Sequence, residues 1–293
     1  MTRIVLLGSS SLLANFLASE LRTDFEIQLV GRSAPLVKDL EHNWIKCTNV
    51  VELPRKVKTL IVNADIVINC IAMTSVDRCE FNRDAAYAIN TRFPKLLVDF
   101  VSQTSPSTYL MCFSTDQVYA SRDKAIDASV PADPCNWYGK TKLMGEPALE
   151  QDNALTVRLN YVNDCPSWHA ADRRISVFKN LLSAGGPFYA ACDWFFAPIG
   201  LRDVSLAVKA AVVRKISGRI LLGGEQLLSK FDYYSSLSGS LGFNGSLVKT
   251  AVLSDLNLKA ERPKSVFLDF SETKGLLGLP AEWPKEIFED NYV

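Results

Sequence analysis

"RIVLLGSSSLLANFLASEL", residues 3–21, is the stretch that decides the fold. An apolar run ends at Gly8, three serines follow, and apolar side chains then return every three or four positions, as they do along one face of a helix. These side chains are Leu12, Leu13, Phe16, Leu17 and Leu21. The order also imitates a secretory signal, but Gly8 and the serines interrupt the apolar run. The stretch therefore predicts a strand, a turn and an amphipathic helix.

The same alternation of apolar runs and helical patterns continues through the first half of the chain. It is typical of β-α-β units that build a parallel sheet. The predicted strands are residues 3–8, 26–31, 43–47, 65–72, 108–114, 154–159 and 218–224. A long amphipathic helix is expected over residues 83–103, where Pro94 predicts a kink or a junction. The fold class is therefore α/β, a Rossmann-type doubly wound parallel sheet.

The regular alternation fades in two segments that mix short helical patterns with aromatic and proline-rich loops. We expect these segments, residues 161–192 and 225–293, to form a smaller substrate-binding cap. Residues 1–160 and 193–224 would then form a dinucleotide-binding domain, interleaved with the cap along the chain.

The composition excludes several classes of protein. Lys plus Arg equals Asp plus Glu, at 32 each, so no global charge would attract nucleic acid or an anionic membrane. No apolar run approaches the roughly 20 residues that a membrane span needs. Seven cysteines without paired or metal-type spacing, beside only two histidines, indicate reduced thiols, a cytoplasmic protein and no metal site.

The turn after the first strand suits a dinucleotide, because a pyrophosphate there would meet backbone N–H groups at a helix N-terminus. Of the three glycines in the pattern G-x-x-G-x-x-G only Gly8 is present, and Ser11 and Ala14 take the other two places. Both residues are small enough to keep the turn close to a ligand and the helix close to the strand. A plain strand-to-helix turn is the alternative.

Arg32 follows the second predicted strand, where an enzyme that selects NAD often has an acidic residue. A guanidinium binds the 2′-phosphate of NADP with two hydrogen bonds, and it gains little from a bare hydroxyl. The sequence therefore predicts NADP(H) in preference to NAD(H), with a solvated surface arginine as the alternative.

Tyr138 and Lys142 are four residues apart in "CNWYGKTKLMGE" (135–146), so a helix there would place both on one face. A free phenol has a pKa of about 10, and a nearby ammonium would lower the pKa toward the range that a proton donor needs. The alternative is an ordinary helix with a packed tyrosine and an exposed lysine.

"FSTDQVY" (113–119) closes the fifth predicted strand, at the edge where open α/β sheets bind ligands. A hydroxyl of Thr115 or Ser114 could donate to a substrate carbonyl as negative charge develops on it. Asp116 could orient a substrate hydroxyl. Capping of a turn is the alternative reading of these residues.

Six segments together resemble one enzyme family. They are "GSSSLLA" (8–14), "INCIAMTSVDRCE" (68–80), "YAINTR" (87–92), "FSTDQVY" (113–119), "WYGKTKLMGE" (137–146) and "VRLNYV" (157–162). Their order and spacing are similar to those of the extended short-chain dehydrogenase/reductases, most closely the dTDP-4-dehydrorhamnose reductases. The resemblance spans residues 1–165, and residues 262–278 resemble the C-terminal stretch of that family.

The resemblance implies roles for individual residues. Tyr138 would be the proton donor, Lys142 would tune it and bind the nicotinamide ribose, and Thr115 would bond the substrate carbonyl. The cofactor would contact Gly8, Ser10, Ser11, Leu12, Leu13, Arg32, Cys70, Ile71, Ala72, Thr74 and Asn90, together with Tyr138 and Lys142. Asp116 and Tyr161 would contact the substrate.

Three positions depart from the family pattern. Tyr161 stands where the family has a tryptophan near the sugar, and Gln117 stands where it usually has a tyrosine. "KCTNV" (46–50) lacks the aspartate expected near the adenine. The first two departures bear on the identity of the sugar, whereas the cofactor assignment depends mainly on backbone contacts.

The implied reaction is reduction of a nucleotide-linked 4-keto-6-deoxy sugar by NADPH, with Tyr138 protonating the new alkoxide. The substrate partner is a nucleotide sugar whose diphosphate would lie on the cap, near Arg202 or Lys179, and a homodimer is one expected assembly. One alternative is an epimerase or dehydratase on the same fold, which would need an extra base. The other is a non-catalytic NADP-binding regulatory subunit.

Overall fold

A seven-stranded parallel sheet forms the centre of the protein. The structure, a computed structural model, describes residues 1–146, 152–163 and 173–284. The strand order in the sheet is β11-β6-β5-β4-β1-β2-β3. These strands are β1 (Arg3–Leu7), β2 (Glu26–Gly31), β3 (Trp44–Lys46), β4 (Ile66–Asn69), β5 (Tyr109–Thr115), β6 (Ala154–Leu159) and β11 (Gly218–Leu222). The order reverses direction at β1, so the predicted doubly wound fold is confirmed.

Helices cover both faces of the sheet. The α-helices of the described residues, on the sheet and elsewhere, are α1 (Leu12–Leu21), α2 (Arg55–Val62), α3 (Val76–Phe81), α4 (Arg83–Tyr87), α5 (Phe93–Thr104), α6 (Trp137–Gly145), α7 (Arg173–Ser183), α8 (Leu201–Arg214), α9 (Lys230–Ser240) and α10 (Ser271–Leu277). Successive side chains of a strand point to opposite faces. Accordingly Ile4 and Leu6 lie in the core with α1 and α8, whereas Val5 and Leu7 lie in the core with α2 and α5. Burial on both faces explains the continuous apolar run of β1.

The predicted helix over residues 83–103 is divided in the structure. A π-helical turn, Ala88–Arg92, separates α4 from α5, and Pro94 is the second residue of α5. Proline lacks the N–H that would bond back to the previous turn, so the start of a segment is the position that tolerates it. The junction that Pro94 predicted is therefore present.

Smaller sheets lie outside the seven-stranded sheet. Strand β9 (Phe195–Phe196) pairs with β12 (Leu228–Ser229) and β14 (Ser265–Val266), and β8 (Phe188–Ala191) pairs with β13 (Val248–Ala251). A two-residue strand, β7 (Val162–Asn163), pairs with β10 (Ile199–Gly200). The side chains of α7 and α9 pack with β8 and β9 in a separate hydrophobic cluster. Apart from β9 and β10, which lie within residues 193–224, these elements fall in the segments predicted as the cap, of which residues 164–172 and 285–293, with Cys165 and His169, lie outside the described residues.

Two parts of the chain pack differently from the predicted domain boundaries. Phe196, predicted to belong to the dinucleotide-binding domain, lies in the hydrophobic cluster of the cap. Phe270, Leu277 and Trp283, predicted to belong to the cap, lie in the core beneath the large sheet. Because buried apolar contacts define a domain, we propose that β9 belongs to the cap and that α10 belongs to the sheet domain.

Among the described residues, each helix is too short or too polar to cross a membrane.

Candidate active site

The carboxyl ends of β1, β4 and β5 meet at one edge of the sheet, because parallel strands all point the same way. Gly8 follows β1 there with a φ of +111°, a conformation that only glycine adopts readily. A Cβ on Gly8 would lie 3.2 Å from the backbone carbon of Cys70, the residue that follows β4. The turn therefore needs glycine at this position for its backbone conformation and for its close approach to the neighbouring strand.

Hydrogen bonds fix the turn after Gly8 in place. Ser11 caps α1 by accepting from the backbone N–H of Ala14, at 3.4 Å. The Ser9 hydroxyl donates to the carbonyl of Ser33 at 2.6 Å, and the Asn15 amide donates to the carbonyl of Ser9 at 2.7 Å. The predicted residues Ser10 to Leu13 thus lie at the positive end of the α1 dipole, with Ser10 exposed and the others half-buried.

Two residues that hold this turn, Ser9 and Gly31, were not predicted from the sequence. Ser9 is fully buried, and a Cβ on Gly31 would clash with its hydroxyl. The glycine at the end of β2 is the sequence signal for this contact, since a strand interior rarely uses glycine. Arg32 follows Gly31 directly and is exposed, so the structure places it beside the glycine turn.

Asn90 holds the loop that follows β4. Its side chain accepts from the backbone N–H of Met73 at 2.9 Å and donates to the Met73 carbonyl at 3.1 Å. It also donates to the hydroxyl of Thr141 on α6, at 3.2 Å. Within this loop Thr74 is exposed, and Cys70, Ile71 and Ala72 are half-buried. Asn90 itself is buried, so its predicted role at the cofactor would be to position the lining loop.

Tyr138, Lys142 and Thr115 come together at the end of β5. Asn136 caps α6 by accepting from the backbone N–H of Gly139 at 2.8 Å, and this fixes the start of the helix. Tyr138 is 8% exposed, and its hydroxyl lies beside that of Thr115. The Lys142 ammonium donates to the carbonyl of Phe113 at 2.6 Å. Helix α6 therefore presents both predicted side chains to the ligand edge of the sheet.

The expected effect of Lys142 on the phenol is wrong in this structure. Burial raises the pKa of Tyr138 above its usual value, and the Asp116 carboxylate raises it further, against a lowering by the neighbouring hydroxyl of Thr115. Burial also lowers the pKa of Lys142. Desolvation dominates because the tyrosine ring packs against Cys79 and Ala86 of α3 and α4. A raised pKa keeps the phenol protonated at neutral pH, which a proton donor requires.

The sequence allowed either Ser114 or Thr115 as the hydroxyl that donates to the substrate, and the structure distinguishes them. Ser114 points away from the site and donates to Glu146. Thr115 donates its one hydroxyl proton to the Asp116 carboxylate at 3.0 Å and accepts from the backbone N–H of Gln117 at 3.2 Å. Asp116 is buried, and burial raises its pKa to about 6, against lowering by its bond with Thr115 and by the charge of Lys230.

The cap contributes Tyr161 and two cations. The Tyr161 ring packs edge-on against Phe196 and Tyr233, with centroid distances of 5.0 and 5.7 Å. Arg174 lies 4.2 Å from the Tyr161 centroid, and the Lys230 ammonium lies 4.3 Å from it. Neither cation was predicted as a site residue. The helix start at "SKFD" (229–232) is readable as a cap, but nothing local shows that Lys230 turns toward the site.

The structure gives less support to the two residues expected near the diphosphate, Arg202 and Lys179. Arg202 is exposed on α8 and Lys179 is half-buried on α7. Within the described parts of the chain, no hydrogen bond or ion pair joins either residue to Asp116 or Tyr138. Their role stays a prediction.

A buried ion pair fixes the other end of α6. Arg158 of β6 donates to Glu146, with a shortest distance of 2.6 Å, and both side chains are no more than 3% exposed. Arg158 also donates to the hydroxyl of Tyr119, and Arg219 lies 3.6 Å from Glu146. The sequence signal was a lone arginine inside the apolar strand "ALTVRL" (154–159), since buried charges need partners.

In the described part of the chain, no three His, Cys, Asp or Glu side chains are placed to hold a metal ion.

Comparison with known proteins gives a family match over almost the whole chain. The family model described as RmlD substrate binding domain matches residues 2–289. The probable low-salt glycan biosynthesis reductase Agl14 of Haloferax volcanii is 27% identical over 230 residues, which cover 74% of this chain and 73% of that protein. The dTDP-4-dehydrorhamnose reductase of Mycobacterium tuberculosis is 26% identical over 186 residues, covering 61% and 60%.

Solved structures share the fold. A hypothetical dTDP-4-dehydrorhamnose reductase from Sulfolobus tokodaii superposes with a TM-score of 0.79 at 23% identity, covering 95% of this chain and 96% of that one. The dTDP-4-dehydrorhamnose reductase of Bacillus anthracis, solved in complex with NADP, has a TM-score of 0.79 at 20% identity, covering 96% and 94%.

Proposed function

The chain belongs to the RmlD substrate binding domain family, and from that premise we propose that it reduces the keto group of a nucleotide-linked 4-keto-6-deoxy sugar with NADPH. Membership makes it an oxidoreductase of the extended short-chain dehydrogenase/reductase type. The substrate and the preference for NADPH are the proposed part. The convergence of Thr115, Tyr138 and Lys142 at the ligand edge of the sheet supports the reduction best, and Arg32, exposed beside the glycine turn, supports NADPH.

The glycine turn fits a nicotinamide dinucleotide. Gly8 has a positive φ and a Cβ there would crowd Cys70 at 3.2 Å, so a glycine keeps the backbone of the turn close to where a pyrophosphate would meet the start of α1. Lys142 would hold the nicotinamide ribose from the opposite side. When bound, NADPH supplies the hydride for the reaction.

The protein side of the reaction involves two hydroxyls. Thr115 would exchange its hydrogen bond to Asp116 for one to the substrate oxygen, where negative charge develops. Tyr138, whose hydroxyl lies beside that of Thr115, would then transfer its proton to that oxygen. Asp116 would accept from a neighbouring hydroxyl of the sugar.

Simple reduction suits the site better than epimerisation or dehydration, which need a base for a carbon-bound proton. The nearest thiols are unsuitable as bases, because burial raises the pKa of Cys79 to about 11 and that of Cys112 to about 12.

The experiment that tests the proposal measures NADPH oxidation with a panel of 4-keto-6-deoxy sugars linked to dTDP, UDP or GDP. We expect turnover with at least one of them, and a product two hydrogens heavier by mass spectrometry. Binding of NADPH and of the sugars without turnover across the panel would contradict reduction and favour the regulatory subunit.

Exchange of Arg32 for aspartate should change the cofactor preference. Charge-assisted hydrogen bonds contribute about 1.5–3 kcal/mol, so we expect kcat/KM with NADPH to fall roughly 10- to 100-fold in Arg32→Asp, and kcat/KM with NADH to hold or rise. Arg55→Asp is the matched control, since Arg55 is an exposed arginine at the start of α2. An unchanged ratio of the two efficiencies in Arg32→Asp would contradict the assignment.

A further inference from the structure

Lys230 is enclosed by aromatic rings on the cap side of the site. Its ammonium lies 3.2 Å from the ring centroid of Phe196, 4.3 Å from that of Tyr161 and 4.9 Å from that of Trp194. We call these three rings the aromatic cage. The side chain is 9% exposed, and its charge acts on Asp116 next to the catalytic hydroxyls. Lys230 therefore lies between the cap and the reacting edge of the sheet.

The position of Lys230 is fixed by its backbone. Its N–H donates to the carbonyl of Trp194 at 2.9 Å, and Ser229 caps the helix by accepting from Asp232 at 3.0 Å. Lys230 is the first residue of α9, where the helix dipole disfavours a cation. The stability of α9 therefore does not explain a lysine at this place.

The protein does little to offset the cost of burying the Lys230 ammonium. Across residues 1–146, 152–163 and 173–284, its three N–H donors have no hydrogen-bond acceptor. The charges that act on it are two guanidinium groups, Arg174 and Arg262, against one carboxylate, Asp116. Arg262 already bonds Asp77 at 3.1 Å. Aromatic faces attract a cation, but they leave N–H donors unbonded, and a buried unbonded ammonium is costly.

We propose that Lys230 is a substrate-binding residue whose ammonium holds an anionic oxygen of the sugar nucleotide, either of a phosphate or of a carboxylate on the sugar, next to Asp116. This inference rests on the proposed function, because it assigns a ligand to the same site. An anionic oxygen supplies the missing acceptor and the missing negative charge together. Binding of that oxygen would offset the cost of burying the lysine.

The test compares Lys230→Met with the unsubstituted protein. Methionine keeps the length of the side chain and its contact with the aromatic cage, and it removes the charge and the donors. Dissociation constants are measured by calorimetry for dTDP, UDP-glucose and UDP-glucuronic acid, and separately for NADPH. We expect one or more of the three nucleotide probes to bind about 10- to 100-fold more weakly, with NADPH unchanged. Lys230→Arg should retain part of the affinity.

The three probes distinguish the source of the oxygen. Equal weakening for all three indicates a phosphate, whereas weakening for UDP-glucuronic acid alone indicates a carboxylate on the sugar. Lys249→Met is the matched control, since Lys249 is an exposed lysine of β13 in the cap. We also expect Lys230→Met to raise the unfolding temperature, because it removes a buried charge. Unchanged affinity for all three probes would overturn the inference, and a lowered unfolding temperature beside it would show a purely structural lysine.

The binding measurements on Lys230→Met do not depend on whether the protein turns over a substrate. If no keto sugar is reduced and Lys230→Met still weakens a probe, the proposed reaction fails and the binding role stands. If reduction proceeds and the probes bind Lys230→Met normally, the binding role fails alone.

Discussion

A Tyr138→Phe protein is expected to bind NADPH normally and to lose about 100- to 10,000-fold in kcat, the range that a general acid contributes. The ring would still pack against Cys79 and Ala86, so the fold should not change. The substitution removes only the hydroxyl that lies beside Thr115 and would protonate the alkoxide. Because burial raises the pKa of Tyr138, its proton is held through neutral and mildly alkaline pH, and the unsubstituted enzyme should stay active over that range.

Steady-state kinetics with the best sugar of the panel, together with NADPH binding by fluorescence, measures both effects. Tyr87→Phe is the matched control, since Tyr87 is a 42% exposed tyrosine on α4. Full turnover by Tyr138→Phe would remove the proton-donor role and leave Thr115 as the group that polarises the carbonyl.

Arg158→Met should be the most destabilising single exchange among those considered. It leaves Glu146 buried with its charge only partly covered by Arg219, 3.6 Å away. Breaking a buried pair in this way costs about 3–5 kcal/mol of unfolding free energy. Since Glu146 is the C-cap of α6, one turn after Lys142, the loss should also reduce turnover through a displaced helix end.

Urea unfolding of three variants separates the causes. The double exchange Arg158→Met with Glu146→Gln should recover part of the loss, because neither charge is then left buried. Arg122→Met, which breaks the exposed pair with Asp133, should cost less than about 1 kcal/mol. If Arg158→Met proves no more harmful than Arg122→Met, the pair does not fix the helix.

The sequence was sufficient for the parts of the fold that depend on local pattern. Apolar runs predicted the seven strands of the large sheet, since a strand buried on both faces is largely apolar. Gly8 predicted the turn, and the spacing of Tyr138 and Lys142 predicted their shared face, because both follow from backbone geometry.

The sequence was insufficient where distant segments meet. The pKa of Tyr138 depends on desolvation by α3 and α4, which the helix that carries it does not reveal. Glu146 and Arg158 pair across two elements, and Lys230 reaches Tyr161 from a helix 69 positions later in the chain (230 − 161). Strand β9 reads as a loop in the sequence, because its pairing partners β12 and β14 come later in the chain.

The separate hydrophobic cluster of the cap has an evolutionary consequence. The proposed cofactor contacts lie along the backbone at the edge of the large sheet, whereas two of the rings around Lys230, those of Tyr161 and Phe196, pack with α7 and α9 in a core of their own. Mutations that reshape this core can be tolerated without disturbing hydride transfer. Paralogues could therefore diverge in the sugars they accept while inheriting one unaltered reduction chemistry.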